Sequence, residues 1–187
     1  MKKTISKILI CVCVIVFCTA ASTKNWTDNQ NTLHKIATLA RTLGLNESNP
    51  ILQEASKLWF FELEDMKILA NVVFYESGGC TDRHQQLVAA VVLNRKNSDK
   101  FPNTIPEVIA QKKQYNPNYL NNLPNYFTAD EEMKRCFENA YLAYIGEVDC
   151  PENVLFQSNY PELGTGYYEI IKVDTKYFKS TTYFAYG

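Results

Sequence analysis

The stretch LANVVFYESGGCTDRHQQLVAAVVLNR, Leu69 to Arg95, decides how the rest of the chain is read. Leu69, Val72, Val73 and Glu76 fall at i, i+3, i+4 and i+7, on one face of a helix beginning near Asp65. This spacing predicts that Glu76 shares the buried stripe. Gly78 and Gly79 predict the stop, because glycine takes a left-handed C-terminal cap without a Cβ penalty. Asp82, with Gln85 three positions on, reads as the N-cap and capping box of a second helix running through LVAAVVLN. That helix is apolar nearly all round, which places it at the centre of the domain.

An ionised carboxylate on an apolar helical face is costly unless it is paired or its pKa rises. The negative end of the helix dipole also disfavours the anion. Both effects hold Glu76 towards the protonated form, which is what a general acid for glycosidic cleavage requires. The alternative is a solvated last-turn residue paired with a neighbouring Lys or Arg.

Working outward towards the C-terminus, Thr104-x-x-Glu107 and Thr128-x-x-Glu131 read as helix starts, the second helix stopping at Gly146. Between them, KKQYNPNYLNNLPNYF (Lys112 to Phe127) predicts a long surface loop. NVLFQSNY, YYEIIKV and TTYFAYG then read as short strands of a small antiparallel sheet. Towards the N-terminus, Asn31 to Leu43 and Ile51 to Glu62 carry helical spacing behind a polar linker, Asn25 to Gln30. The expected class is α+β, mainly helical, with a small C-terminal antiparallel sheet.

The first residues differ in character. Lys2, Lys3 and Lys7 precede ILICVCVIVFC (Ile8 to Cys18) and the small residues TAAS, the pattern of a secretory signal peptide over residues 1–21. Its apolar core is shorter than the roughly 20 residues of a membrane-spanning helix. The alternatives are an uncleaved N-terminal anchor, which alone would tether the protein to a membrane, and a lipoprotein signal ending at Cys18. Removing residues 1–21 takes three lysines and no acids, so the formal net charge passes from −1 to −4. No basic patch for nucleic acid remains. Cys80, Cys136 and Cys150 remain, which allows one disulfide and one free thiol, or none. Residues 22–64 are read as the linker and N-terminal helices, and 65–187 as the catalytic domain.

The run Glu76-Ser77-Gly78-Gly79, then Gln85 and VAAVVLNR, then KFPNTIPEVI and the pair Gln114-Tyr115, resembles the cell wall hydrolase family of spore cortex-lytic enzymes. AYLAYIGEVDCPENVLFQSNY and the closing TTYFAYG extend the likeness over about Asp65 to Gly187. The resemblance implies a lysozyme-like fold acting on peptidoglycan of the cortex or vegetative wall, outside the cytoplasm and without a cofactor. Cleavage would fall between N-acetylmuramic acid and N-acetylglucosamine. Members look like lytic transglycosylases, in which one Glu serves as acid and then as base; by motif that residue is Glu76. A hydrolase needs a second carboxylate at roughly 5 to 9.5 Å. A transglycosylase instead lets the muramic acid 6-hydroxyl attack, which leaves a 1,6-anhydro end. Asp82, the nearest following acid, is expected to be occupied as an N-cap.

Substrate contacts are expected from the amides of Gln114, Asn116, Gln157 and Asn159 and from the rings of Tyr75, Tyr115, Tyr160 and Tyr183. Gln157 and Asn159 are favoured because alternate strand residues share a face. The competing reading makes the tyrosines core residues and the amides turn caps. Three other functions compete: a cysteine peptidase using Cys80 and His84, a non-catalytic wall-binding module, and a zinc amidase. The last finds only His34 and His84, without ligand spacing, so no metal site is expected.

Overall fold

A computed structural model describes residues 53, 57, 60, 61, 63–161, 164–174 and 179–187. The chain divides into two units, Met1–Leu63 and Glu64–Gly187. The segment read as a signal peptide, the linker and the helix expected over Asn31 to Leu43 lie outside the described residues. So does most of Ile51 to Glu62, in which the described positions 53, 57, 60 and 61 are helical. Among the described residues, no helix is long and apolar enough to cross a membrane.

The second unit holds four α-helices followed by three strands: α1 Glu64–Ser77, α2 Asp82–Asn97, α3 Ile105–Ala110, α4 Glu131–Tyr144, β1 Val154–Ser158, β2 Tyr167–Asp174 and β3 Lys179–Tyr186. This is the expected α+β architecture, mainly helical, with its small sheet at the C-terminus. The sheet is antiparallel in the order β1-β3-β2. Helix α2 is central, as its apolar circumference requires: Leu87 to Val92 are all buried, and α2 packs against α1, α3, α4 and β1. Met66, Leu69, Val72 and Val73 of α1, Phe137 of α4 and Phe184 of β3 complete the core.

Three boundary expectations are corrected. Thr81, not Asp82, is the N-cap of α2, its side chain accepting from His84 N–H. This leaves the Asp82 carboxylate free to accept from Arg135 and Asn139. Helix α4 is capped by Asp130, which accepts from Met133 N–H at 2.8 Å, because Thr128 belongs to a preceding 3-10 turn, Tyr126–Thr128. Gly78 and Gly79 do follow the last residue of α1, but neither has a left-handed backbone. At Gly78 the reason for glycine is space: a Cβ there would lie 2.6 Å from the Phe74 carbonyl oxygen. The Thr104 box is as expected, with Thr104 accepting from Glu107 N–H and its hydroxyl donating to Glu107 Oε2 at 2.7 Å.

Candidate active site

Glu76 is the penultimate residue of α1, and its side chain is exposed, against the expectation that it shares the buried stripe. The helix turns Val73 and Ser77 inward, and Ser77 Oγ donates back to Val73 O at 3.0 Å. Glu76 shares that side of the helix but stands in its last turn, beyond the packing that buries Leu69, Val72 and Val73. Enough protein surrounds its carboxyl group that burial still raises its pKa above the ordinary value, and a hydrogen bond from Tyr119 partly opposes that rise. No second carboxylate is among the groups that move it.

Tyr119 is the residue that sequence reasoning missed. It is the third residue of the 3-10 turn Pro117–Leu120 inside the long loop, and Asn71 Nδ2 of α1 donates to its carbonyl at 2.8 Å. Its ring lies flat on that of Tyr75, with centroids 4.8 Å apart and planes 2° from parallel. Burial, followed by the Glu76 charge, pushes its hydroxyl up to about 12, so it stays a donor. The only signal in the sequence was the tyrosine content of the loop, which does not single out one ring.

The structure brings Tyr75, Tyr115 and Tyr119 to Glu76. Tyr75 is 60% exposed and offers its ring edge and outer surface to solvent. Tyr115 is buried, with the Arg95 guanidinium 5.3 Å from its ring centroid and its hydroxyl without a hydrogen-bond partner. Burial pushes that hydroxyl up to about 12, and the Glu76 charge contributes. Tyr115 thus lines the site from inside. Gln114 is exposed on the loop, and Asn116 caps the 3-10 turn by accepting from Asn118 N–H at 3.0 Å.

Gln157 and Asn159 lie along β1, although the strand itself ends at Ser158. Gln157 pairs with Phe184, whose side chain packs edge-on against His84 of α2, and Asn159 accepts from Thr182 Oγ1 at 3.4 Å. Both therefore lie towards the helix-facing side of the sheet. Tyr183, adjacent to Phe184, points to the opposite face and packs on Tyr167 at 5.2 Å. The structure thus separates Tyr183 from the two amides. Tyr160 projects freely, 74% exposed.

The turn after Glu76 is held by side chains from other helices. Gln85, fully buried, donates through Nε2 to Gly78 O at 2.7 Å, with Ser77 O at 3.3 Å and Glu132 Oε1 at 3.1 Å sharing the same group. Asn139 Nδ2 donates to Gln85 Oε1 at 2.8 Å and fixes the amide orientation. Arg135 Nη2 donates to Gly78 O at 2.8 Å, Cys80 O at 3.0 Å and Glu132 Oε1 at 2.7 Å, while its Nη1 reaches Asp82 at 3.2 Å. Gln85 is thus a buried clamp on α1 and makes no capping box.

Cys80, Cys136 and Cys150 are free thiols. Burial raises the Cys80 pKa against the opposing Arg135 charge, the reverse of what a nucleophilic cysteine needs. His84 has an unpartnered Nδ1 and is held neutral by burial. Among the described residues, no cluster of His, Cys, Asp or Glu could hold a metal ion.

The profile of the Cell Wall Hydrolase family matches residues 79–181, more than half of the chain. This chain belongs to the cell wall hydrolase family. The match begins just after Glu76. Two curated proteins of Bacillus cereus, each described as a spore cortex-lytic enzyme, are 33% identical to the chain over 105 residues, which is 56% of this chain and 38% of theirs. The chain thus spans well under half the length of these relatives. No solved structure matches it.

Proposed function

We propose that this cell wall hydrolase domain cleaves peptidoglycan outside the cytoplasm, cutting the glycan between N-acetylmuramic acid and N-acetylglucosamine as a lytic transglycosylase. The observation that carries this reading is the setting of Glu76. It is an accessible carboxyl group with a raised pKa, hydrogen-bonded by a tyrosine hydroxyl and without a second carboxylate among its influences. Protonated Glu76 donates to the glycosidic oxygen as the bond to the muramic acid anomeric carbon breaks. The resulting carboxylate then takes the proton of the muramic acid 6-hydroxyl as that oxygen closes the 1,6-anhydro ring. Tyr119 donates to the carboxylate between these steps and limits how far its pKa rises. The exposed Tyr75 ring offers an apolar surface to a sugar beside the carboxyl group.

Asp82 is unsuited to be the second carboxylate of a hydrolase, because Arg135 and Asn139 hold it in the turn network. The names of the relatives make cortex peptidoglycan the first substrate to try. The test is mass spectrometry of the soluble products released from purified peptidoglycan by the native chain and by Glu76→Gln. Muropeptides ending in 1,6-anhydro-muramic acid, made by the native chain alone, are the expected result. Reducing ends would make the enzyme a hydrolase, and intact glycan with cut peptides would overturn the reading.

A further inference from the structure

Four backbone carbonyls at the end of a helix lack intrahelical partners, and the partial negative charge they carry lies beside any side chain in the last turn. In α1 that side chain is Glu76. A helix end can satisfy its carbonyls locally or by donors from elsewhere; here Ser77 O accepts from Cys80 N–H and from Gln85 of α2, and the next carbonyls of the turn, Gly78 O and Cys80 O, accept from Gln85 and from Arg135 of α4. The two act at one point, since both reach the Gly78 carbonyl. Each is oriented in turn: Gln85 by Asn139, and Arg135 by Glu132 and Asp82.

We propose that Gln85 and Arg135 are positioning residues for Glu76, clamping the Ser77–Cys80 turn so that the last turn of α1 presents the carboxyl group in one fixed direction. The proposal rests on the reading of Glu76 as the acid, and neither clamp residue touches the substrate. The clamp is also electrostatic. The Arg135 guanidinium sits on the Gly78 and Cys80 carbonyls, in the turn that follows α1, where a cation offsets the dipole's negative end. The charged and titratable groups around it are Glu132 and Cys136 on α4, Asp82 on α2 and Cys80 in the turn; those around Glu76 are Tyr119 and Tyr115 on the loop. Removing Arg135 takes away a cation beside the negative end of the α1 dipole, which disfavours the Glu76 anion.

The test compares Arg135→Met, Arg135→Lys, Gln85→Met and, as a control, Arg83→Met. The control loses an ion pair to Glu169 that joins α2 to the sheet, and among the described residues Arg83 has no hydrogen-bond partner in common with Gln85 or Arg135. Two quantities are read on the full chain: the titration of the Glu76 carboxyl carbon by NMR, assigned with Glu76→Gln, and kcat and KM on purified peptidoglycan. Arg135→Met is expected to move the titration upward by about half a pH unit, the size of a helix-end charge effect. It should also lower kcat at least tenfold with KM within twofold, while Arg135→Lys recovers most of both. Gln85→Met should lower kcat with a smaller shift, and Arg83→Met should leave titration and kcat unchanged. If Arg135→Met does not fold, Arg135→Lys and Gln85→Met carry the test. An unmoved titration with native kcat in every folded clamp variant overturns the proposal. So does an equal response to Arg83→Met, which would make the effect one of general stability. If Glu76→Gln retains activity, the functional reading fails, but the titration still decides whether the clamp acts on this carboxyl group.

Discussion

At the end of α4, Gly146 sits at φ 79° in the left-handed region, its N–H bonds to Ala143 O, and Glu147 N–H reaches back to Leu142 O at 2.9 Å. At the end of α1, Gly78 N–H bonds Phe74 O and Cys80 N–H bonds Ser77 O, while Gln85 of α2 donates to Ser77 O and Gly78 O and Arg135 of α4 to Gly78 O and Cys80 O. The first end is a Schellman closure written into a few neighbouring residues. The second depends on residues more than fifty positions away in the case of Arg135. A helix end that only has to stop can be closed locally; the one that carries Glu76 is also held by side chains of two other helices.

The sharpest way to break this comparison is at Glu76. Glu76→Gln is nearly isosteric and is expected to keep the fold while lowering peptidoglycan turnover by about 10²- to 10⁴-fold, the usual worth of a general acid. Loss of near-ultraviolet circular dichroism in this variant would show a structural role instead. Next in size is Gly78→Ala. Its Cβ meets a backbone carbonyl that cannot move aside, so a loss of about 1–3 kcal/mol is expected in urea unfolding, together with reduced activity of the folded fraction.

Gly146→Ala makes the contrasting measurement. Open space surrounds a Cβ at that site, so only the left-handed backbone is strained, at about 1–2 kcal/mol, and turnover per folded molecule should be native. An activity loss there as large as at Gly78 would erase the distinction between the two ends.

Smaller effects sharpen the electrostatic side. As the proposed acid Glu76 must be protonated to donate, and burial raises its pKa, so the rate should be full below that pKa and fall as pH rises through it. Tyr119→Phe removes a hydrogen bond that favours the anion, so this alkaline limb should move further up; a downward move would contradict the assigned donor. The same raised carboxyl pKa opposes folding as pH rises above the unfolded value, and does so in full once pH exceeds the folded one. Glu76→Gln should therefore melt slightly above the native protein at pH 7, with the gap closing below about pH 4, where unfolded and folded carboxyls are both protonated.

Much of the domain was legible before any coordinates. The apolar circumference of Leu87 to Val92 put α2 at the centre, the Thr104–Glu107 box marked α3, and the aromatic, β-branched runs marked all three strands. The errors were local shifts with a common origin. Asp82 and Thr128 are plausible caps by residue type, but cap choice turns on which side chain reaches a free N–H, and Thr81 and Asp130 are the ones that do. Glu76 was placed by its angle on the helix, which does fall between those of Val72 and Val73, but it stands in the last turn of α1, and periodicity sets the face of a helix without setting how far along it the protein cover extends.

What the sequence by itself determined is the order of elements, the identity of the core helix and the presence of an acid at the end of α1. Periodicity and capping residues act over a few positions, and the chain carries them openly. What only the tertiary structure decided is the company of that acid. Asn71 reaches Tyr119 across 48 positions, Gln85 reaches Glu132 across 47 and Arg135 reaches Gly78 across 57. Hydrogen bonds over such separations leave no local pattern, because they exist only once α1, α2, α4 and the loop have packed into one domain.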